Sequence, residues 1–184
     1  MSLENKIVDY KDNVLDIEHW VALKGEFRYE SIINFLTENK IECNWANVTY
    51  YIKYDKRILI NSFKYIVFLE EMYKSFVFKK RHNPNIQSSA FRIAYNSFLS
   101  LGDDAVFDDI DLSLMKKNEA AINTFRNCVV HNRILLNRKY GGLSLEEVLN
   151  VIIKILPTSY RNGFIKDIND CSKGLLNNHW NIKL

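Results

Sequence analysis

The stretch from Ala46 to Arg81 reads ANVTYYIKYDKRILINSFKYIVFLEEMYKSFVFKKR and contains neither Pro nor Gly. Its apolar positions Ile52, Ile58, Leu59, Phe63, Ile66, Val67, Leu69, Tyr73, Phe76 and Val77 recur at steps of three and four, the period of a helix. The β-branched and aromatic content would suit strands, but strict alternation never persists and no turn residue interrupts the run. One long helix is expected, with Tyr54–Lys56 as the place for a single break. Lys79, Lys80, Arg81 and His82 followed by Asn83-Pro84 mark its end, cations at a helix C-terminus and then a breaker.

Helical signals extend outward from this run. Upstream, YESIINFLTENK places Ile32, Ile33, Phe35 and Leu36 on one side of a short helix, and residues 1–27 read as a weakly structured extension with one short helix around Lys6–Trp20. Downstream, Ser88 or Ser89 is expected to cap a helix through Leu101 that Gly102 stops. The acidic loop GDDAVFDDIDLS follows, and Asp111 or Ser113 caps a helix from about Leu114 to Arg138. Gly141-Gly142 break the chain, and Ser144 with Glu147 three residues on forms a capping box opening SLEEVLNVIIKIL, which Pro157 ends. A last helix is expected over Ser159–Asn178. The reading is all-α, one domain over 1–184, a bundle of long antiparallel helices.

Composition agrees with that class. The 184 residues are 47% hydrophobic and 26% charged, neither disordered nor membrane-like, and 6 Gly and 2 Pro are too few for the turns of a sandwich or barrel. A net charge of +3 permits anionic partners without demanding them. Cys43, Cys128 and Cys171 include no CxxC pair and no His/Cys spacing suited to zinc, so neither a metal nor another cofactor is expected, and a reducing cytoplasm is the natural compartment. The N-terminus lacks an apolar core and no stretch reaches 18 apolar residues, so no membrane association is expected.

The segment that carries chemistry is TFRNCVVHNR, Thr124–Arg133. On a helical wheel Ile122, Phe125, Val129 and Leu136, flanked by Ala121, Cys128 and Leu135, form an apolar face. Asn123, Arg126, Asn127, Val130, His131, Ile134 and Arg138 lie opposite. Asn127 and His131, four apart, are neighbours there, and Arg126 can reach the same spot. A guanidinium, an amide and an imidazole thus converge without a carboxylate on that face. Val130 and Ile134 in its middle suggest a second packing surface, which in a two-fold dimer would bring two such sets together. Arg133, Arg138 and Lys139 would make that cleft basic and suited to RNA.

Arg126-Asn127-x-x-x-His131 resembles the R-x4-H motif of HEPN domains, in the RNxxxH form of their Abi-like (abortive infection) branch. Phe68-Leu69-Glu70-Glu71-Met72-Tyr73-Lys74 is similar to the apolar-Glu-x-x-apolar-Arg pattern of that branch's second helix, and the order of elements fits from about Tyr29 to Asn178. The resemblance implies a HEPN-like helical bundle, a homodimer and metal-independent endoribonuclease activity in toxin–antitoxin systems or antiviral defence, with an antitoxin protein or RNA as a further partner. Carried over, His131 acts as general base or acid on the ribose 2′-hydroxyl or the leaving oxygen, Arg126 stabilises the phosphorane-like transition state, and Asn127 orients the histidine or the phosphate. Glu70 and Lys74 would support Arg126. The family also has non-catalytic members, which bind RNA or protein with the same surface. This chain has Arg133 where members paired with a nucleotidyltransferase antitoxin carry Tyr.

Other features have plainer readings. His19 and His179 adjoin Trp and read as packing residues or caps. Asp103, Asp104, Asp108, Asp109 and Asp111 read as a solvated, helix-capping loop rather than a cation site. Tyr50, Tyr51, Tyr54, Phe63, Phe68 and Phe76 read as core, and Cys128 as an inert thiol on the apolar face.

Overall fold

The computed structural model describes residues 3–102, 110–175 and 180–184. Among these residues the chain is all-α. Helices α1 (Val14–Lys24), α2 (Glu26–Glu38), α3 (Trp45–Arg81), α4 (Phe91–Leu99), α5 (Leu112–Lys117), α6 (Glu119–Val130), α7 (Leu145–Ile155) and α8 (Thr158–Asn169) follow one another, with short 3-10 turns at Leu3–Asn5, Tyr10–Asp12, Pro84–Ser88 and Asp170–Ser172. The acidic residues Asp103, Asp104, Asp108 and Asp109, and His179, lie outside the described residues.

Helix α3 is the axis of the molecule. Its 37 residues rise roughly 55 Å without the break that Tyr54–Lys56 allowed. Asn44 caps it by accepting the Asn47 N–H at 2.8 Å, and His82 closes it in the left-handed conformation at φ 51°. Helices α2, α4, α6 and α8 pack around it. Tyr51, Tyr54, Ile58, Leu69, Tyr73 and Val77 point into the buried cluster that these helices share, and each fully buried side chain of this size stabilises the fold by about 1.5–3 kcal/mol. Tyr50, Tyr51 and Tyr54 are core, as expected, whereas Phe63 is 44% exposed. The three tyrosines also hold the last residues of the chain: Tyr50 donates to Asn181, Tyr51 to the Trp180 carbonyl, and Tyr54 accepts the Ile182 N–H.

Residues 3–27 are more ordered than the weakly structured extension expected over 1–27. Helix α1 occupies Val14–Lys24, and Leu3, Ile7 and Ile17 are buried in the common core. The serines at 88 and 89 cap no helix; each donates to a carbonyl of the 3-10 turn before α4. Asp111, not Ser113, caps α5, accepting the Leu114 N–H at 2.8 Å. The Ser144–Glu147 capping box is complete and opens α7. The final helix is shorter than Ser159–Asn178, since α8 passes into a 3-10 turn at Asp170.

The main correction concerns the helix expected from Leu114 to Arg138. It is broken at Asn118, whose side-chain amide donates to the Leu114 carbonyl and separates α5 from α6. It also ends at His131. Asn132 adopts φ 53°, its N–H donates to the Val129 carbonyl, and the Arg133 N–H donates to the Cys128 carbonyl at 2.9 Å, a Schellman closure with Asn in the left-handed position. The chain beyond is an irregular segment that dives inward. Asp55 Oδ1 accepts the N–H groups of both Leu135 (2.7 Å) and Leu136 (2.8 Å), and the Tyr140 hydroxyl donates to the Leu135 carbonyl. Those partners replace the helical ladder, so Ile134, Leu135 and Leu136 become core.

Candidate functional site

Helix α6 buries Ala121, Ile122, Phe125, Cys128 and Val129 on the face expected to be apolar. Burial pushes the Cys128 thiol up, so it is protonated and unreactive, as its position suggested. The opposite face carries Arg126 and Asn127. Arg126 Nη2 donates to Glu70 Oε2 at 2.9 Å and Nη1 to Asn127 Oδ1 at 3.2 Å. Lys74 Nζ donates to the other Glu70 oxygen at 2.9 Å. The structure therefore joins four of the residues singled out from the sequence in one chain, Lys74–Glu70–Arg126–Asn127.

The charge balance of that chain matters for ligand choice. Burial raises the Glu70 carboxyl, but the hydrogen bonds from Lys74 and Arg126 outweigh it and hold the group below its ordinary range. Glu70 is therefore ionised at neutral pH, and two cations against one carboxylate leave a net positive charge. The guanidinium lies 5.3 Å from the Phe91 ring centroid, a cation–π distance. Its Nε is buried with no hydrogen-bond partner among the described residues. Glu71, next to Glu70, is exposed.

Arg126 and Asn127 line an open groove of about 630 Å³ between the start of α4, the end of α5 and α6. Arg92, Lys116 and Lys117 line it too, with Glu119 as its one carboxylate among the described residues, and Arg92 approaches Glu119 at 3.7 Å. An anion fits this balance better than a neutral molecule. Sequence reading missed Arg92, Lys116 and Lys117, because the break at Asn118 is what turns the end of α5 towards α6.

His131 is exposed at the C-cap of α6, its N–H donating to the Asn127 carbonyl at 3.1 Å, and it is not among the residues that line the groove. Arg133, Arg138 and Lys139 do not line it either. Arg133 and Arg138 line a separate hollow at the start of α2, and Arg138 and Lys139 another beside α7. The patch of Val130 and Ile134 that suggested a dimer surface is absent: Ile134 is 3% exposed and Val130 packs against the core, because the helix stops before Ile134.

Asp55, which sequence reading did not single out, fixes the segment that follows His131. Its side chain is fully buried, and burial pushes its carboxyl up to about 6 despite the two backbone N–H groups it accepts. The available signal was a lone acid in the apolar register of α3. His19 is an exposed packing residue, edge-on to Trp20.

Among the described residues no group of three His, Cys, Asp or Glu side chains is arranged to hold a metal ion, and no helix is long and apolar enough to cross a membrane. Compared with known proteins, the chain matches no family model, and no curated protein or solved structure is significantly similar to it.

Proposed function

We propose that the chain is a HEPN-type endoribonuclease that cleaves RNA without a metal, working as a homodimer in a toxin–antitoxin or antiviral-defence setting. The observation that carries this reading is the Glu70-anchored Arg126 guanidinium, hydrogen-bonded to Asn127 at a basic groove, with His131 exposed one helical turn further on. A guanidinium fixed in this way can meet a phosphodiester without reorganising, and that is where transition-state stabilisation is largest. His131 supplies the proton transfer: it takes the proton of the ribose 2′-hydroxyl as that oxygen attacks phosphorus, or gives one to the departing 5′-oxygen. The products are a 2′,3′-cyclic phosphate and a free 5′-hydroxyl. The homodimer rests on the family resemblance alone.

One observation favours the second reading, a non-catalytic HEPN-like module that binds RNA or a protein. His131 does not line the groove that holds Arg126. Incubation of single-stranded RNA with the protein in EDTA separates the two. The nuclease reading expects cleavage to 2′,3′-cyclic ends, reduced about 10²–10³-fold by Arg126→Ala and comparably by His131→Ala. Binding without cleavage in the wild type overturns it.

A further inference from the structure

A second, more strongly charged concavity is lined in part by Asn132, the residue after His131. Lys24 at the end of α1, Arg28 at the start of α2, and Lys53, Lys56 and Arg57 on α3 line a groove of about 590 Å³, and among the described residues no carboxylate lines it. Leu23 and Ile52 complete the lining with Asn132. Two smaller hollows continue it. One shares Lys24, Arg28 and Asn132 and adds Phe27, Arg133 and Arg138; the other shares Lys24 and Lys53 and adds Trp20.

Three of these cations are held in place by neutral partners. Arg28 Nη2 donates to the Asn132 carbonyl at 3.0 Å, Lys56 Nζ to Asn132 Oδ1 at 2.7 Å, and Arg57 Nη1 to the Cys171 and Lys173 carbonyls at 3.1 and 2.7 Å. Such bonds order a side chain without cancelling its charge. Among the described residues, none of the five cations pairs with a carboxylate. The carboxylate that acts on Arg28 and Lys56 is Asp55, which is fully buried and engaged by Leu135 and Leu136. Gathering like charges in a concavity is unfavourable unless an anion occupies it.

Apolar side chains at the rim narrow the choice of anion. Trp20 is 40% exposed with Lys24 Nζ 4.4 Å from its ring, and Phe27 is 68% exposed. Exposed rings beside a row of ordered cations suit a strand whose bases are unstacked, with phosphates on the cations and bases on the rings. Arg28, Lys56 and Arg57 are half-buried where Lys24 and Lys53 are exposed, so a strand that enters the concavity meets all five better than a flat membrane surface does.

We propose that this trough binds single-stranded nucleic acid, the backbone on Lys24, Arg28, Lys53, Lys56 and Arg57 and bases on Trp20 and Phe27. The inference goes beyond the nuclease reading and stands on binding alone.

The test is fluorescence anisotropy of labelled 15-nucleotide oligouridine and oligodeoxythymidine with the full chain in EDTA over a range of salt. The deoxy strand lacks the 2′-hydroxyl, so failure of cleavage and failure of binding are read separately. The double variant Lys24→Glu/Lys53→Glu is expected to lose about tenfold or more in affinity, with a log–log salt slope reduced by about 1.4 for the two lost phosphate contacts. Lys79→Glu/Lys80→Glu, the same charge change on exposed residues at the far end of α3, is expected to stay within about twofold. Trp20→Ala is expected to weaken binding with the salt slope unchanged. Circular dichroism checks the fold, and Lys24→Gln/Lys53→Gln serves if the glutamates unfold it. Equal losses in the two double variants, no binding at low salt, or tighter binding to phosphatidylserine vesicles or polyglutamate than to either strand would overturn the proposal.

Discussion

Glu70 on α3 and Arg126 on α6 meet at 2.9 Å across 56 residues of chain, and each side chain is only 19% exposed. The pair does two jobs at once. It ties α6 to the central helix, and it fixes the guanidinium at the edge of the groove. A pair this shielded is weakened less by salt than a surface bridge, and removal of one member leaves the other partly buried and uncompensated.

Glu70→Gln is therefore expected to loosen Arg126 more than it unfolds the protein. Stability should fall by about 1–3 kcal/mol in urea titration. Cleavage, if the nuclease reading holds, should fall about tenfold or more. Because the Glu70 carboxyl is held below its ordinary range, its stabilisation is present above that range and is lost as acid protonates it. The variant should lack that part of the wild type's acid-side loss of stability.

Asp55 titrates in the opposite sense. Burial raises its folded-state pKa from 3.8 to about 6, so the folded chain holds a proton that the unfolded chain releases between those values. Its contribution is fully present below 3.8 and is lost as the pH rises through about 6, a difference of about 3 kcal/mol. Melting of wild type and Asp55→Asn at pH 5 and pH 7 should show this dependence only in the wild type.

Asp55→Ala is a harsher change. It leaves the Leu135 and Leu136 N–H groups buried without acceptors, at a cost of about 2–4 kcal/mol. Amide hydrogen exchange at Leu135 and Leu136 should accelerate in this variant far more than in Asp55→Asn, whose amide oxygen can still accept.

The two glycines of the turn between Tyr140 and Leu143 should respond unequally to substitution. Both have positive φ, 55° at Gly141 and 94° at Gly142. A Cβ at Gly141 would also sit 2.8 Å from the Ala121 backbone nitrogen, whereas one at Gly142 meets nothing. Gly141→Ala should cost about 2–4 kcal/mol, and Gly142→Ala about 1 kcal/mol. Equal urea midpoints for the two variants would contradict this account.

Helix α3 was legible because 36 residues without Pro or Gly kept one apolar period, and the Ser144–Glu147 box was legible because both of its partners are local. The end of α6 was not. Ile134, Leu135 and Leu136 continue the helical spacing, and what stops the helix is a contact 80 residues away, from Asp55, together with the left-handed Asn132. Asn132 was the readable clue, since Asn is the commonest residue after Gly at that position. The same misreading bears on the site: Arg126, Asn127 and Glu70 come together, while His131, Arg133, Arg138 and Lys139 lie outside their groove once the helix has ended.

The aromatic lining of α3 and its neighbours has a practical consequence. Burial pushes the phenols of Tyr29, Tyr50, Tyr51, Tyr54, Tyr65, Tyr73, Tyr95 and Tyr140 upward. In alkaline solution they stay un-ionised while the interior is shut and become tyrosinate when it opens. Ultraviolet absorbance at high pH is thus an unlabelled gauge of global opening, contributed by the chain's own side chains.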